Sequence, residues 1–444
     1  MEETTESLFK DVLIGRVSRR QLLRRAGILG LSVPTIAALL AACGSSSSTP
    51  TTSSAGASTA TTAATTAATT ATTAAASSSP AVTSASAATP GATMAATSAA
   101  ASPSAASTAA VAWTPRDVTT KLTGSGSSFV DPAMQLWIQK YKDLAPHVSI
   151  NYQSVGSGQG KKDFIGNVTD FAGTDAYMTD DELKMAPGSL HIPVVLGPEA
   201  IIFNLSGVSS LQLSGPTLAD IYLGKITKWN DPEIAADNPG ASLPSDSITV
   251  VHRSDGSGTT AIFTNYLSKV SPEWMSKVGF NTAVQWPVGI GGEQNPGVAA
   301  GVQQTPGAIG YVELAYAIEN KLTAASIKNA AGKWVMPSLE GASADAAGFL
   351  NNLPDDLRVF ITNAPTGDTA YPITGFSWVL LRPSYDDVNK ANALTDFCYF
   401  CITQGQTISQ TLQYAPIPDE VKTIELKKIE QVMSGGKPVF TAPA

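Results

Sequence analysis

Ile248-Thr249-Val250-Val251-His252-Arg253-Ser254-Asp255-Gly256-Ser257-Gly258-Thr259-Thr260 carries a β-branched run through a single arginine into a turn of glycines and hydroxyls. The residues beyond it have a helical period, with Phe263, Tyr266, Leu267 and Val270 at i, i+3, i+4 and i+7. A strand–turn–helix leaves the first N–H groups of the helix unpaired, and Gly256 and Gly258 let the backbone come close to whatever it faces, so the turn suits a small tetrahedral oxyanion. Arg253 offers a planar, permanently charged fork for two oxygens, and Ser257 and Thr259 offer hydroxyls that can also cap the helix. Asp255 stands close enough in sequence to hold the fork in place. Taken alone, the segment reads equally as a βα turn or hairpin that merely needs Gly and Ser.

The same design occurs twice more. Leu122-Thr123-Gly124-Ser125-Gly126-Ser127-Ser128-Phe129 runs into a helix opened by Asp131-Pro132, with Met134, Trp137, Ile138 and Tyr141 on one face. Val148, Ile150 and Tyr152 alternate as a strand before Gly156-Ser157-Gly158-Gln159-Gly160, and Phe164 and Ile165 begin another helical face. Three turns of one chemistry predict convergence on one ligand. None is a nucleotide fingerprint, because neither the P-loop spacing nor a G-x-G-x-x-G opens these helices. The further glycine-rich stretch Gly289 to Gly297 reads as a plain loop.

Asp175 looks out of place beside an anion until the ligand's proton is considered. A carboxylate only accepts hydrogen bonds, so it repels a fully deprotonated oxyanion but takes the proton of a hydrogen phosphate. The alternative is that Asp175 caps the helix signalled by Thr179, Asp180, Asp181 and Leu183.

These residues resemble the phosphate-binding component of the phosphate-specific ABC import system. The resemblance spans residues 118–425 and rests on TGSGSSF from Thr123, NYQSVGSGQG from Asn151, VTDFAGTDA from Val168, DIYLGKITKWNDP from Asp220, HRSDGSGTT from His252 and QTPGAIGYVELAY from Gln304. It implies phosphate contacts at Ser128, Phe129, Ser157, Asp175, Arg253, Ser257, Gly258 and Thr259, with Asp255 orienting Arg253. The family often has Ala-Thr where this chain has Ser127-Ser128, and a Gly-Ser variant of the second loop. Both departures keep a hydroxyl and a flexible backbone, which implies retuned affinity for an unchanged ligand. The resemblance further implies an α/β, two-lobe periplasmic-binding-protein fold, type II-like and hinged. Residues 116–196 and 373–444 would form lobe I and residues 197–372 lobe II, with crossings near Val195–Gly197 and Asn363–Thr374. Phosphate would bridge the lobes of a monomer, with no cofactor and no metal, and the closed exterior would be read by the permease subunits of a phosphate ABC importer.

The N-terminus indicates the compartment. Ser18-Arg19-Arg20-Gln21-Leu22-Leu23 and the apolar run Ala26 to Ala42 read as a twin-arginine export signal, and Leu40-Ala41-Ala42-Cys43 reads as a lipoprotein processing site. Residues 1–42 would thus be removed, and Cys43 would carry the lipid that anchors the chain to the outer face of the cell membrane. The alternative, an uncleaved membrane helix, has only 17 residues to work with. From Gly44 to Pro115 no residue is charged, and Ser, Thr and Ala dominate. With no amphipathic period the stretch 43–115 is expected to be a disordered tether, with a root-mean-square reach on the order of 45 Å. A mucin-like adhesive stalk is the rival reading of that tether, and the anion turns that follow argue against it.

Net charge is −8 for the chain, and residues 1–42 carry six basic and four acidic side chains, which leaves −10 for the remainder. An acidic protein holds an anion only through local donors, and nucleic acid is excluded as a partner on the same ground. Cys398 and Cys401 have a C-x-x-C spacing but lie in an apolar helical stretch, Leu394 to Ile402, where buried thiols or a structural pair are expected. His147, His191 and His252 are scattered without metal-ligand spacing, and His252 is expected behind Arg253. The competing function is a secreted phosphatase or other surface hydrolase using Ser257, but no G-x-S-x-G elbow and no evident base support it.

Overall fold

The computed structural model describes residues 113–443, so the expected signal peptide, Cys43 and nearly all of the tether lie outside the described residues. β1 (Thr120–Gly126), β2 (Val148–Ser154) and β3 (Phe171–Thr174) are parallel and joined by the helices Asp131–Leu144 and Ser157–Ile165. The first helix starts at Asp131-Pro132, where a missing N–H costs nothing, and buries Met134, Trp137 and Tyr141 against the strands. β4 (Leu190–Phe203) follows, then β5 (Gln212–Leu213), β6 (Thr249–Arg253), β7 (Ile290–Gly292), β8 (Ala308–Glu313), β9 (Thr323–Ala324), β10 (Ser326–Lys328), β11 (Trp334–Val335) and β12 (Thr374–Leu381). The main sheet runs β2-β1-β3-β12-β4-β8-β6-β7 with β9 also on β4, and β5, β10 and β11 form a small sheet of their own.

β4 is the element both halves share. Its first part, Leu190 to Pro198, pairs antiparallel with β12, and its second, Glu199 to Phe203, pairs antiparallel with β8. All 14 residues are buried, as expected for a strand covered on both faces, and its sequence is accordingly a nearly continuous apolar run. Two prolines would normally disqualify a central strand. Here Pro193 lies opposite Trp378, at the register shift between Ser377 and Trp378, and Pro198 sits where the pairing passes from β12 to β8. The apolar core is continuous through this crossing, from Trp137 and Tyr141 through Val195 and Ile201 to Tyr222, Phe263 and Tyr311. The helix Val388–Ile402 packs on the β1 side, where Cys398 and Cys401 are free and fully buried, and burial pushes both thiols up, away from thiolate chemistry.

The crossing also buries charge. Glu199 and Glu313 are direct cross-strand partners, both fully buried, and neither oxygen of Glu199 has a hydrogen-bond partner. Glu313 accepts from the N–H of Ala315 at 2.9 Å and from the Tyr414 hydroxyl at 3.3 Å through one oxygen only. Burial, then the nearby Asp175 charge, push Glu199 well above the ordinary carboxyl value; burial does the same for Glu313. A carboxyl whose folded pKa is raised stabilises fully below its unfolded value of 4.5, and that contribution is lost as pH rises from there through the folded pKa. Glu199→Gln is fixed in the neutral form, so its melting temperature should fall less than wild type's between about pH 5 and about pH 8. Parallel melting curves for the two proteins across that range would show that Glu199 does not hold a proton in the folded state.

Candidate anion-binding site

β1 delivers the first turn. Gly126 has φ +140°, and a Cβ there would lie 2.0 Å from the Gly173 carbonyl oxygen, so only glycine lets the chain turn this close to β3. The turn aims Ser127, Ser128 and Phe129 inward. Ser127 Oγ donates to Asp175 at 2.6 Å and accepts from the Phe129 N–H at 2.9 Å. The carbonyls of Ser128 and Phe129 are held by the hydroxyls of Tyr316 and Tyr414, each at 2.6 Å, which fixes the turn from behind. The second turn places Ser157, buried, with its hydroxyl donating to Asp175 at 3.2 Å and accepting from the Asp175 N–H at 3.1 Å.

Asp175 follows β3 and does not cap a helix. That task falls to Thr179, which forms a capping box with Glu182 at the start of the helix Asp180–Met185. Asp175 is instead 1% exposed and accepts from three serine hydroxyls, the third being Ser377 of β12 at 2.6 Å. Burial pushes its pKa up to about 6, against the opposing effects of Ser127, Ser377, Arg253 and Ser157.

β6 delivers the third turn. Arg253 is buried, and its Nε and Nη2 donate to Asp255 at 2.8 and 2.6 Å, leaving Nη1 to reach Thr259 Oγ1 at 3.2 Å. Burial raises Asp255, but the bonds from Arg253 and the Gln294 N–H outweigh it and hold the carboxyl below its usual range. The pair is therefore ionised, with the guanidinium fixed in one plane. Ser257 caps the helix Gly258–Val270 by accepting from the Thr260 N–H at 3.0 Å, and its own N–H goes to Thr282. Gly258 is a point of close approach between the halves, since a Cβ there would lie 2.5 Å from both Asp175 Oδ2 and Ser157 Oγ. The unpaired N–H end of this helix thus faces Asp175.

The stretch Gly289 to Gly297 is not the plain loop expected from its sequence. It forms β7, a left-handed Gln294 at φ +59°, and the helix Gln294–Gln304, a fourth strand–turn–helix beside the other three. Its Asn295 is fully buried and bonds Ser128 and Thr259 together. The structure thus brings Ser128, Phe129, Ser157, Asp175, Arg253, Asp255, Gly258 and Thr259 to one place, with the Ser257 hydroxyl turned to its own helix. His252 lies outside this network, stacked on Trp286 at 4.8 Å with its Nδ1 on the Arg253 carbonyl. Sequence reasoning missed Ser377, Asn295 and the Tyr311 hydroxyl that accepts from the Arg253 N–H at 3.1 Å. The run QTPGAIGYVELAY that contains Tyr311 stood out in the sequence, but nothing local marks Ser377, one serine in an apolar strand.

Comparison with known proteins is decisive about kinship. A PBP superfamily domain matches residues 55–404. The phosphate-binding protein PstS of Xylella fastidiosa is 45% identical over 310 residues, covering 69% of this chain and 84% of that protein. This chain belongs to the phosphate-binding protein family. Its members also include PstS of Pasteurella multocida, 43% identical over 72% of this chain and 93% of that protein. Among solved structures, a high-affinity periplasmic phosphate-binding protein bound with phosphate superposes with a TM-score of 0.54 at 22% identity, covering 69% of this chain and 93% of that one. The phosphate-binding protein of Stenotrophomonas maltophilia gives 0.51 at 19% identity over 69% and 93%. At these identities the structures speak for the fold, which is the two-lobed periplasmic-binding architecture expected for the family.

Gly258 has an ordinary helical backbone, so a substitution there acts through space alone. Gly258→Ala should force the halves apart at the Asp175–Ser157 contact, raising the radius of gyration measured by small-angle scattering and lowering the melting temperature. An unchanged radius would mean that the contact yields locally.

Proposed function

We propose that this chain binds inorganic phosphate outside the cytoplasm and delivers it to an ABC importer. The observation that carries this reading is Asp175, a buried acceptor set against the N–H end of a helix and a fixed guanidinium. Donors surround one carboxylate, and a carboxylate facing an anion is tolerable only if the anion brings a proton. Hydrogen phosphate and dihydrogen phosphate do; sulfate does not. In this reading Ser128, Phe129, Ser157, Arg253, Ser257, Gly258 and Thr259 contact phosphate, Asp175 takes the ligand's proton, and Asp255 keeps Arg253 in plane. The ligand ties lobe I, residues 116–196 and 373–444, to lobe II, residues 197–372, and favours the closed form because both sets of bonds exist only there.

A hydrolase reading asks for a base beside Ser257. That hydroxyl accepts from the Thr260 N–H as a helix cap, and it donates to no carboxylate or histidine among the described residues. The site is therefore read as a binding site and not a catalytic one. Calorimetric titration with phosphate and sulfate, alongside an assay for phosphate release from an aryl phosphate, tests the two readings against each other.

Arg253→Ala should weaken phosphate binding more than tenfold, since a charge-assisted bond contributes roughly 1.5–3 kcal/mol and each 1.4 kcal/mol is about a factor of ten. Arg253→Lys should recover part of it, because a point charge does not reproduce the fork. An unchanged affinity in Arg253→Ala places the site elsewhere.

Asp175 has its pKa near 6, so it is ionised above that pH and protonated below. The preference for phosphate over sulfate should accordingly shrink as pH falls through about 6, because a protonated Asp175 donates to sulfate where the carboxylate repels it. Asp175→Asn should show the smaller preference at every pH. Equal affinity for the two anions in wild type near neutral pH rules out a proton-acceptor role.

We also place the chain on the outer face of the cell membrane as a lipoprotein, with residues 1–42 as a twin-arginine signal, Cys43 lipidated and residues 43–115 as a tether. Cys43→Ala should leave unprocessed precursor and block lipid labelling. Normal mature lipoprotein in that variant refutes the assignment.

A further inference from the structure

Asn295 reaches the site from the fourth turn, and the direction of each of its bonds is fixed. Its Nδ2 donates to Ser128 Oγ at 3.0 Å and to Thr259 Oγ1 at 3.3 Å, and its backbone N–H donates to Ser128 Oγ at 3.2 Å. Its Oδ1 accepts from the Glu313 N–H at 3.1 Å. A backbone N–H can only donate, so Oδ1 must be the atom facing Glu313 and Nδ2 the atom facing the hydroxyls. The amide has no alternative orientation that keeps these bonds.

A hydroxyl has two acceptor positions and one hydrogen. Ser128 Oγ accepts twice from Asn295, and Thr259 Oγ1 accepts once from Asn295 and once from Arg253 Nη1 at 3.2 Å. Both oxygens are saturated as acceptors, and both hydrogens remain to be given away. Ser128 stands in the first half of the molecule and Thr259 in the second, so one side chain supplies a donor to both walls at once, and the Asn295 N–H and Arg253 complete the saturation.

We propose that Asn295 is a positioning residue that makes Ser128 and Thr259 obligatory donors to the ligand. This rests on the reading of the site as a phosphate site and deepens it by naming the residue that fixes the direction of two of its hydroxyls. A phosphate O–H directed at Ser128 or Thr259 would meet a donor with no free lone pair, a contact as costly as leaving a buried donor unmade. The protonated oxygen is therefore turned away from both of these hydroxyls, which are left to the unprotonated oxygens. Selectivity for a protonated oxyanion then depends on Asn295 as well as on the carboxylate, although Asn295 need not touch the ligand.

A double-mutant cycle on the full chain, read by phosphate titration calorimetry near pH 8, tests the assignment. If Asn295 acts through the two hydroxyls, Asn295→Ala should weaken phosphate about tenfold in the wild-type background, as expected for two lost neutral hydrogen-bond orientations, and less than about twofold when Ser128→Ala and Thr259→Val are already present. Equal losses in the two backgrounds mean that Asn295 merely supports the fold, and they overturn the proposal while leaving the phosphate reading intact. A wild type that binds no phosphate overturns both. Should Asn295→Ala fail to fold, Asn295→Asp takes its place in the cycle. It keeps the shape and the bond from Glu313, and its repulsion of the anion is common to both backgrounds, so a smaller loss in the hydroxyl-free background still supports the proposal and an equal loss still overturns it.

Discussion

The structure depends on one strand being shared. β4 gives its first nine residues to β12 and its last five to β8, so two half-sheets are registered against each other by a single continuous backbone. A strand buried on both faces cannot slip without exposing apolar side chains or breaking its ladder, which makes the crossing a stiff reference for everything around it. The turns after β1, β2 and β6, and the one after β7, then arrive at the same place from opposite sides. The two prolines, which have no N–H to give the ladder, fall where it already shifts or changes partner.

The electrostatics of the site run against those of the molecule. A chain of net charge −8 repels anions at long range, so attraction has to be local and short-ranged, and in the proposed site Arg253, hydroxyls and helix N–H groups would supply it where water does not screen them. Adding Asp175 to such a site weakens attraction for every anion and weakens it most for those without a proton. That trade of affinity for discrimination is the usual way a binding site rejects a near-isostere. Asp255 serves the opposite end: it spends two of the five guanidinium donors on holding the other three in direction.

The buried pair Glu199 and Glu313 has a different character. It sits at the crossing and takes no cation as direct partner among the described residues, so it strains the folded state through desolvation, with both oxygens of Glu199 and one of Glu313 left without a hydrogen bond. Protons held there sit beside the strand that registers the two halves, close enough for the Asp175 charge to be felt at both carboxyls. The hinge and the site therefore share an electrostatic environment even though their side chains do not bond directly.

What the sequence determined by itself was local in range. Arg253-x-Asp255 followed by Gly-Ser-Gly-Thr specifies a turn, an ion pair and a capped helix within seven residues, and the alternating or helical periods on either side are equally short-ranged, so all of these were readable and the family resemblance followed from them. The tertiary structure alone decided which distant groups complete the site. Ser377 is one hydroxyl in an apolar strand and becomes a partner of Asp175 only because β12 lies beside β3, about 200 residues apart in the chain, a distance that no local pattern spans. Asn295 hides in a glycine-rich stretch that reads as a loop, and its role exists only once β7 sets it between Ser128 and Thr259. Glu199 and Glu313 likewise look like ordinary solvated acids until a cross-strand register buries them face to face. Hydrogen bonds between neighbours in sequence leave a signature in composition, whereas bonds made by folding depend on register and packing, and these are properties of the whole chain.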